Sequence, residues 1–190
     1  YYACGDSEEK IALLPQVEAV KEKGFEVLLC TDDVDEFAIQ MLIEYDGKHF
    51  ANVQKDDFDL STDAEKEAVQ KKNESSKELL ERMKEILGGE VSAVKFTNKL
   101  GSHAVALSAE GYMSLEMAKV LSQIPGGNED VKAQLVLEIN SDHAIVKKLE
   151  SANEGTLEKY TKILYNQARL IAGLSIDNPT EFADMICEIL

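Results

Sequence analysis

The chain has 190 residues, of which 44% are hydrophobic and 29% are charged, and its net charge is -16. This is the composition of a folded protein of one or two domains. The acidic excess argues against binding to nucleic-acid phosphates, which requires clustered Lys and Arg, and against attraction to anionic membranes. No apolar run approaches the ~20 residues that a membrane span needs. We therefore expect neither a nucleic-acid nor a membrane partner.

Three cysteines, Cys4, Cys30 and Cys187, lie far apart. Their odd number and wide spacing indicate neither a disulfide framework nor a zinc site. We expect a reducing, cytoplasmic setting, and no signal peptide is visible. The chain starts at Tyr1, inside a strand-like pattern and without an initiator Met, so we expect a piece of a longer protein.

Residues 1–60 alternate short apolar runs with helical stretches, which is typical of a small three-layer α/β unit. Asp33 and Glu36 have the spacing of a capping box at the start of a helix. The predicted elements are strands over 1–4, 25–30 and 49–53 and helices over 15–23 and from Asp33 onward.

A polar, acidic stretch over 54–62 predicts a hinge between two units. Thr62 and Glu65 have capping-box spacing, and a long helix is predicted from there to Leu87. The middle of that helix, 71–77, is polar on all sides, which predicts a segment that crosses solvent.

The second part of the chain, 61–190, mixes strand and helix patterns, which predicts a mixed α+β domain with a short sheet. The fold class is therefore α/β followed by α+β, with a helical hairpin at the C-terminal end. The predicted elements before that hairpin are strands over 91–96, 104–107 and 133–139 and helices over 111–124 and 141–149.

The tail, 155–190, predicts two helices joined by a turn. Gly173 ends the first helix, and Asn178-Pro179-Thr180-Glu181 opens the second with a cap, a first-turn Pro and a capping-box Glu. Both helices carry apolar residues at steps of three and four. These residues are Leu157, Tyr160, Leu164, Ala168 and Ile171 in the first helix, and Phe182, Met185, Ile186, Ile189 and Leu190 in the second.

Such a hairpin either packs on its own domain or forms a four-helix bundle with the same hairpin of a second copy. The residues leave both arrangements open. We adopt the second as a hypothesis, in which the apolar residues just named, up to Ile189, form a homodimer interface.

No catalytic constellation stands out. Gly88-Gly89 and Gly126-Gly127 lack the Lys or third Gly of a phosphate-binding loop, and no Gly-x-Ser-x-Gly elbow is present. Helix capping explains the acidic residues within 32–36, and the three histidines lack neighbours at ligand spacing. We expect no catalytic site, no metal and no cofactor in this chain.

The helix predicted over 111–124 is apolar on more than one side, because Tyr112 and Leu115 lie off its main stripe. Methionine is flexible and suits surfaces that bind varied partners. Either this helix is buried on several sides, or it offers an apolar edge to non-native polypeptide. The main stripe consists of Met113, Met117, Val120 and Leu121.

Four parts of the sequence are familiar when taken together. They are 24–29, 35–37 with 45–48, 137–143 (LEINSDH), and 164–168 followed by 177–179 and Phe182. In this order they resemble the heat-shock protein 90 chaperones, in particular the bacterial HtpG type, over essentially the whole chain. The third part is similar to the family's LEINPDH element, with Ser141 where Pro is usual.

The resemblance implies part of an ATP-driven dimeric chaperone. Residues 1–60 would be the end of its middle domain and 61–190 its C-terminal dimerisation domain. The family's ATP and Mg site lies in an N-terminal domain, and its catalytic arginine lies earlier in the middle domain. Because this chain matches neither, we expect it neither to bind nor to hydrolyse ATP.

The resemblance also implies a client-binding role, since the family's client contacts are attributed to an amphipathic C-terminal-domain helix and to an aromatic residue near the end of the middle domain. Phe37 stands where the bacterial type often has Trp. The matching positions are Met113, Met117, Val120 and Leu121, and Phe37 with Gln40.

Two other hypotheses stay open. One is a small α/β enzyme domain, flavodoxin-like, fused to a dimeriser, which predicts a ligand at the carboxyl ends of the first strands. The other is a passive dimeric scaffold without affinity for non-native proteins.

Overall fold

The structure is a computed structural model that describes residues 1–123 and 132–189. An α/β unit is followed by an α+β unit that ends in a helical hairpin, which confirms the predicted fold class. Two predicted helix ends, Ile124 and Leu190, lie outside the described residues. No helix within the described ranges is long and apolar enough to cross a membrane.

The first unit is built on two parallel strands that pair from Tyr2 opposite Leu28 to Cys4 opposite Cys30. Its elements are β1 (Tyr2–Cys4), α1 (Glu8–Ala12), α2 (Pro15–Glu22), β2 (Leu28–Cys30), α3 (Asp35–Leu42), β3 (Glu44–Tyr45) and β4 (Lys48–His49). A buried apolar cluster joins β1 to α1 and α2. The third helix, α3, and the hairpin β3–β4 therefore lie outside this core.

Two expectations for the first unit are wrong. The strand predicted over 49–53 is replaced by the hairpin β3–β4 and a single bridge between Tyr2 and Asn52. The capping box at Asp33 does not form, because α3 begins two residues later and Glu36 is buried. A carboxylate that binds distant partners is not free to cap its own helix.

The second unit packs helices on a three-stranded mixed sheet in which the central strand is parallel to one neighbour and antiparallel to the other. Phe96, Leu137 and Ile139 from the sheet meet Met83 and Leu164 from the helices in its core. The elements are α4 (Asp63–Ser75), α5 (Lys77–Ile86), β5 (Ala93–Thr97), β6 (Val105–Glu110), α6 (Leu115–Gln123), β7 (Gln134–Asn140), α7 (Ile145–Ser151), α8 (Glu154–Ile171) and α9 (Pro179–Ile189).

Two predicted helix starts are confirmed. Thr62 Oγ1 accepts the Glu65 N–H at 3.3 Å, and the Glu65 carboxylate accepts the Thr62 N–H at 2.7 Å. At the second start, the Glu181 N–H donates to Asn178 Oδ1 at 3.1 Å, so Asn178 caps the helix. The Glu181 carboxylate reaches back to the side-chain amide of Asn178, at 3.0 Å, rather than to its backbone N–H. Gly173, with φ 72°, follows the end of α8 as predicted.

The long helix predicted up to Leu87 is two helices, because the backbone at Ser76 has φ -107° and ψ 16°. Its polar middle does not cross solvent. The Asn73 side chain donates to the Phe96 carbonyl at 3.0 Å and accepts the Phe96 N–H at 2.8 Å. These bonds cover part of the open edge of β5, where unpaired backbone groups would otherwise invite another chain.

The segment predicted as a hinge, 54–62, begins as an extension of the sheet. Lys55 forms a parallel bridge with Ala109 of β6. The Ala109 N–H donates to the Gln54 carbonyl at 3.1 Å, and the Asp56 N–H donates to the Ala109 carbonyl at 3.2 Å. These bonds tie the two units together at this point.

We expect Ile43→Gly to stabilise the chain. Ile43, between α3 and β3, has φ 64° and ψ -53°, a conformation that costs a β-branched residue ~1–3 kcal/mol. Its side chain is 62% exposed, so little packing is lost. Urea unfolding should show a gain of ~1 kcal/mol. The control Leu42→Gly, at an exposed helical position, should lose ~1 kcal/mol. Equal losses at both positions would contradict the strain argument.

Candidate dimerisation and client-binding surfaces

Three of the five α8 residues predicted at a dimer interface belong to the chain's own core. Leu157, Leu164 and Ala168 are buried against the sheet and α5. Tyr160 is partly buried against the same cluster, and Ile171 is exposed. Side chains that are covered within one chain leave nothing for a second copy to cover. The assignment of Leu157, Leu164 and Ala168 to the interface is therefore corrected.

The last helix, α9, lies at the surface, in contrast to α8. None of its described residues is buried, although it carries an apolar side. An ion pair of 2.6 Å between Lys159 Nζ and Glu188 Oε2 links it to α8. A cleft of about 250 Å³ remains between Met185 and the body of the domain at Leu87. The half-buried apolar residues of α9 are Phe182, Met185, Ile186 and Ile189.

A bidentate ion pair sets the turn between the two helices. The Arg169 guanidinium donates to both oxygens of Asp177, at 2.7 and 3.0 Å. These hydrogen bonds lower the pKa of the Asp177 carboxyl, so the pair stays charged at neutral pH. The planar fork of Arg restricts the geometry of such a pair, which favours one direction for α9.

The candidate client-binding residues on α6 and α3 meet at one point. The Gln40 amide donates to Met117 Sδ at 3.0 Å, although the two residues lie 77 positions apart. Met117 is 2% exposed, so its prediction as an exposed client contact is corrected. Met113 precedes the helix, which starts at Leu115 rather than residue 111. The half-buried candidates are Met113, Val120, Leu121, Phe37 and Gln40.

A buried carboxylate joins these two helices. Glu36 on α3 is 3% exposed and accepts a 2.9 Å hydrogen bond from Asn52 Nδ2. Its second oxygen accepts a hydrogen bond from the Ser114 hydroxyl. Ser114 Oγ in turn accepts the Met117 N–H at 3.0 Å, which caps the start of α6. One buried network thus sets the position of α6 relative to α3.

The buried carboxylate also affects its neighbours on β1. Burial, and after it the negative charge of Glu36, raises the pKa of the Tyr2 hydroxyl and of the Cys4 thiol. Burial raises the pKa of Cys30 as well. Both thiols therefore stay protonated at neutral pH, the state in which cysteine is a poor nucleophile.

A cleft of about 1230 Å³ of empty space opens where β1 ends, the place where an α/β enzyme would hold a ligand. Its charged groups pair with each other, Lys10 with Asp6 at 2.8 Å and Lys119 with Glu116 at 2.7 Å. Burial raises the pKa of Glu116. Over residues 1–123 and 132–189, no group of three or more His, Cys, Asp or Glu is placed to hold a metal ion.

We expect Ser114→Ala to lower the free energy of unfolding by ~2 kcal/mol. The substitution removes the cap of α6 and leaves a buried carboxylate oxygen without its donor. Urea unfolding measures the loss, and hydrogen exchange should quicken at the Met117 amide. The control Ser122→Ala removes an exposed hydroxyl on the same helix and should change stability by less than ~0.5 kcal/mol. Equal effects of the two substitutions would contradict the role of the network.

Sequence reasoning missed three strongly exposed apolar residues of the first unit. Met41 is 84% exposed, although it lies four residues after Phe37, the usual spacing of two residues on one side of a helix. Val34 is 67% and Tyr45 is 72% exposed. The available signal was the helical spacing of Val34, Ala38 and Met41, which places a second apolar stripe on the other side of α3.

Comparison with known proteins agrees with the resemblance. The family model for the Hsp90 protein matches residues 1–190. The chain is 47% identical over 193 aligned residues to a chaperone protein HtpG of Clostridium perfringens (strain 13 / Type A). It has the same identity to chaperone proteins HtpG of Clostridium botulinum (strain Langeland) and Shouchella clausii (strain KSM-K16).

These alignments include 100% of this chain but only 30–31% of the relatives. The chain thus spans about a third of the length of the curated relatives it matches. The match over every residue, at an identity far above chance, establishes the family. The chain belongs to the Hsp90 protein family.

Proposed function

We propose that this chain is the C-terminal part of a cytoplasmic, ATP-driven chaperone of the HtpG type. In this proposal it holds two copies together and forms part of the cleft that binds non-native client proteins. ATP and Mg would be bound, and ATP hydrolysed, by segments of the parent protein that this chain does not match. The role of the chain itself is mechanical.

The observation that carries the proposal is the incompletely covered apolar side of α9. The hairpin of a second copy would cover it in a four-helix bundle, a common two-fold arrangement. The proposed interface keeps Tyr160 and Ile171 of α8 with the apolar side of α9. The core residues of α8 support the interface from beneath.

Dimerisation at one end makes contact between the other ends intramolecular. Two arms joined in this way meet at a raised effective concentration, so ATP-driven closure does not depend on protein concentration. The half-buried residues of α6 and α3 would then face a client held between the arms. The Gln40–Met117 contact supports this proposal because it places the two candidate groups side by side.

Sedimentation equilibrium and a holding assay test the proposal together. The chain should sediment at twice its monomer mass of 21.0 kDa at micromolar concentration. It should also slow the aggregation of a chemically denatured client enzyme. A monomer would contradict the proposed dimer, whereas a dimer that does not protect the client from aggregation would favour a passive scaffold.

A further inference from the structure

Two of the three cysteines are register partners on neighbouring strands. The strands β1 and β2 run parallel, and Cys4 stands opposite Cys30 at the carboxyl end of the pair. Register partners in a sheet have Cα atoms roughly 5 Å apart and side chains on the same face. A disulfide requires a Cα separation of ~4.4–6.8 Å. The backbone therefore holds these two thiols at a separation that a disulfide bridges without a change of register.

The two side chains also meet. Both belong to one buried cluster with Tyr2, and Cys4 and Cys30 are only 6% and 8% exposed. Burial is the main reason why the pKa of each thiol is raised, and a hydrogen bond between the two sulfurs contributes to both values in opposite directions. This bond raises the pKa of Cys4, the donor, and lowers that of Cys30, the acceptor. It thus favours the thiolate at Cys30 over the thiolate at Cys4.

The strand β2 is the more accessible side of the pair. It is three residues long, and among the described residues it pairs with β1 alone. In contrast, β1 is bonded on its other edge as well, because both backbone groups of Tyr2 bind residues 51 and 53. Leu28 on β2 is 56% exposed. Short edge strands open locally at low cost, so a small reagent reaches Cys30 more readily than its partner.

We propose that Cys4 and Cys30 form a redox pair, which a low-molecular-weight disulfide converts into an intramolecular disulfide. In the first step the Cys30 thiolate attacks one sulfur of the reagent, the S–S bond of the reagent breaks, and one thiol leaves. In the second step the Cys4 thiolate attacks Cys30 Sγ of the mixed disulfide, and the second thiol leaves. The protein loses two protons and two electrons, and the reagent is reduced to two thiols.

Burial also sets the conditions under which the pair is oxidised. Because both thiols are protonated at neutral pH, brief exposure to an oxidant leaves them reduced. Sustained oxidation gives the reagent time to react whenever β2 opens. The exposed Cys187 should react first under the same conditions. The pair therefore responds to prolonged rather than to brief oxidation.

A disulfide at this place cross-links the sheet of the first unit. It closes a loop of ~25 residues that contains α1 and α2, which lowers the entropy of the unfolded chain. The cluster around the two sulfurs also packs against Ile39 of α3 and against Phe50. Oxidation should therefore stabilise the first unit and restrict the motion of α3, the helix whose buried Glu36 positions α6.

Peptide mapping tests the pairing. A chain with Cys187→Ser keeps Cys4 and Cys30 as its two thiols, and it is held overnight in mixtures of oxidised and reduced glutathione before free thiols are blocked. Trypsin cuts after Lys, so the two cysteines fall in separate peptides, 1–10 and 24–48. We expect these peptides to be joined in most of the protein in the oxidising mixture, and to separate after addition of a reducing agent.

Thermal unfolding and hydrogen exchange measure the effect of the cross-link. The oxidised form should unfold ~5–10 °C higher than the reduced form. Exchange at the amides of β2 should be at least ~10-fold slower, because the cross-link suppresses opening of this edge. The same treatment of Cys30→Ala in the same background should give neither change, since a single thiol forms only a mixed disulfide with glutathione.

Two single substitutions test the order of attack. Cys4→Ala keeps Cys30, whereas Cys30→Ala keeps Cys4. Glutathione should attach to the remaining Cys30 at least ~3-fold faster than to the remaining Cys4, and equal rates would overturn the assigned order. If either variant does not fold, the joined peptides of the unsubstituted pair still decide whether the disulfide forms.

The outcomes distinguish a redox pair from two structural thiols. Absence of the joined peptides, while the unmodified chain binds glutathione at Cys187, overturns the proposal because the oxidant is then active and the pair is not. Joined peptides that appear only in urea overturn it as well, because the pairing then belongs to the unfolded chain. A disulfide that leaves the unfolding temperature unchanged overturns the stabilising effect. None of these results bears on the proposed dimer or on client binding, which are tested separately.

Discussion

Ile186→Asp should convert the proposed dimer into a monomer at micromolar concentration. Ile186 lies on the incompletely covered apolar side of α9, where the second copy is proposed to pack. Because the interface is two-fold, the substitution places two unpaired carboxylates in it. The dissociation constant should rise on the order of a thousandfold, which sedimentation velocity over a dilution series would measure.

The neighbouring position supplies the control. Cys187 is exposed and lies about 100° further around the helix, away from the apolar side. Cys187→Asp adds the same charge at the same helix end and should change the dissociation constant by less than ~5-fold. Equal loss of the dimer in both variants would indicate a general effect on the helix, and retention of the dimer in both would place the interface elsewhere.

Glu138→Ala should lower the free energy of unfolding by ~3–5 kcal/mol, because it breaks a buried ion cluster. Glu138 on β7 is 0% exposed, and its Oε1 lies 2.9 Å from Lys99 Nζ and 3.3 Å from Lys95 Nζ. Lys95 also lies 3.3 Å from Asp56 Oδ2, and Lys99 donates to the Asp56 carbonyl at 2.9 Å. The substitution leaves both ammonium groups without their buried counter-ion.

Thermal unfolding should show a fall in Tm of ~10 °C for Glu138→Ala. The control Glu150→Ala removes a 42% exposed partner of Lys72 and should cost less than ~1 kcal/mol. The cluster also ties the sheet to Asp56, so hydrogen exchange should quicken on both sides of that contact. A loss below ~1 kcal/mol for Glu138→Ala would contradict a structural role for the cluster.

Local signals in the sequence predicted the local structure well. The capping box at Thr62, the helix cap at Asn178 and the helix end before Gly173 depend on residues within one helical turn. The fold class follows from such signals together with the order of strands and helices. Failures occurred where a side chain has a distant partner, as at Glu36 with Ser114.

Periodicity could not show which apolar side faces the chain's own core. The helices α8 and α9 have similar apolar spacing, yet Leu164 is buried under the sheet whereas no described α9 residue is buried. Nor could the sequence show that the polar Asn73 would bind within the chain, because its partner, the Phe96 backbone, lies 23 positions away. The dimer and client surfaces therefore depend on packing that only the structure reveals.

The most direct test of the proposed dimer is a measured distance between the Cys187 positions of its two copies. Cys187 is exposed while Cys4 and Cys30 are buried, so a nitroxide can be attached at the tail without substitution. If two hairpins form a four-helix bundle, pulsed dipolar spectroscopy should give one narrow intermolecular distance below ~40 Å, since packed helices are ~10 Å apart. No intermolecular distance at concentrations where the chain is dimeric would contradict an interface built on α9.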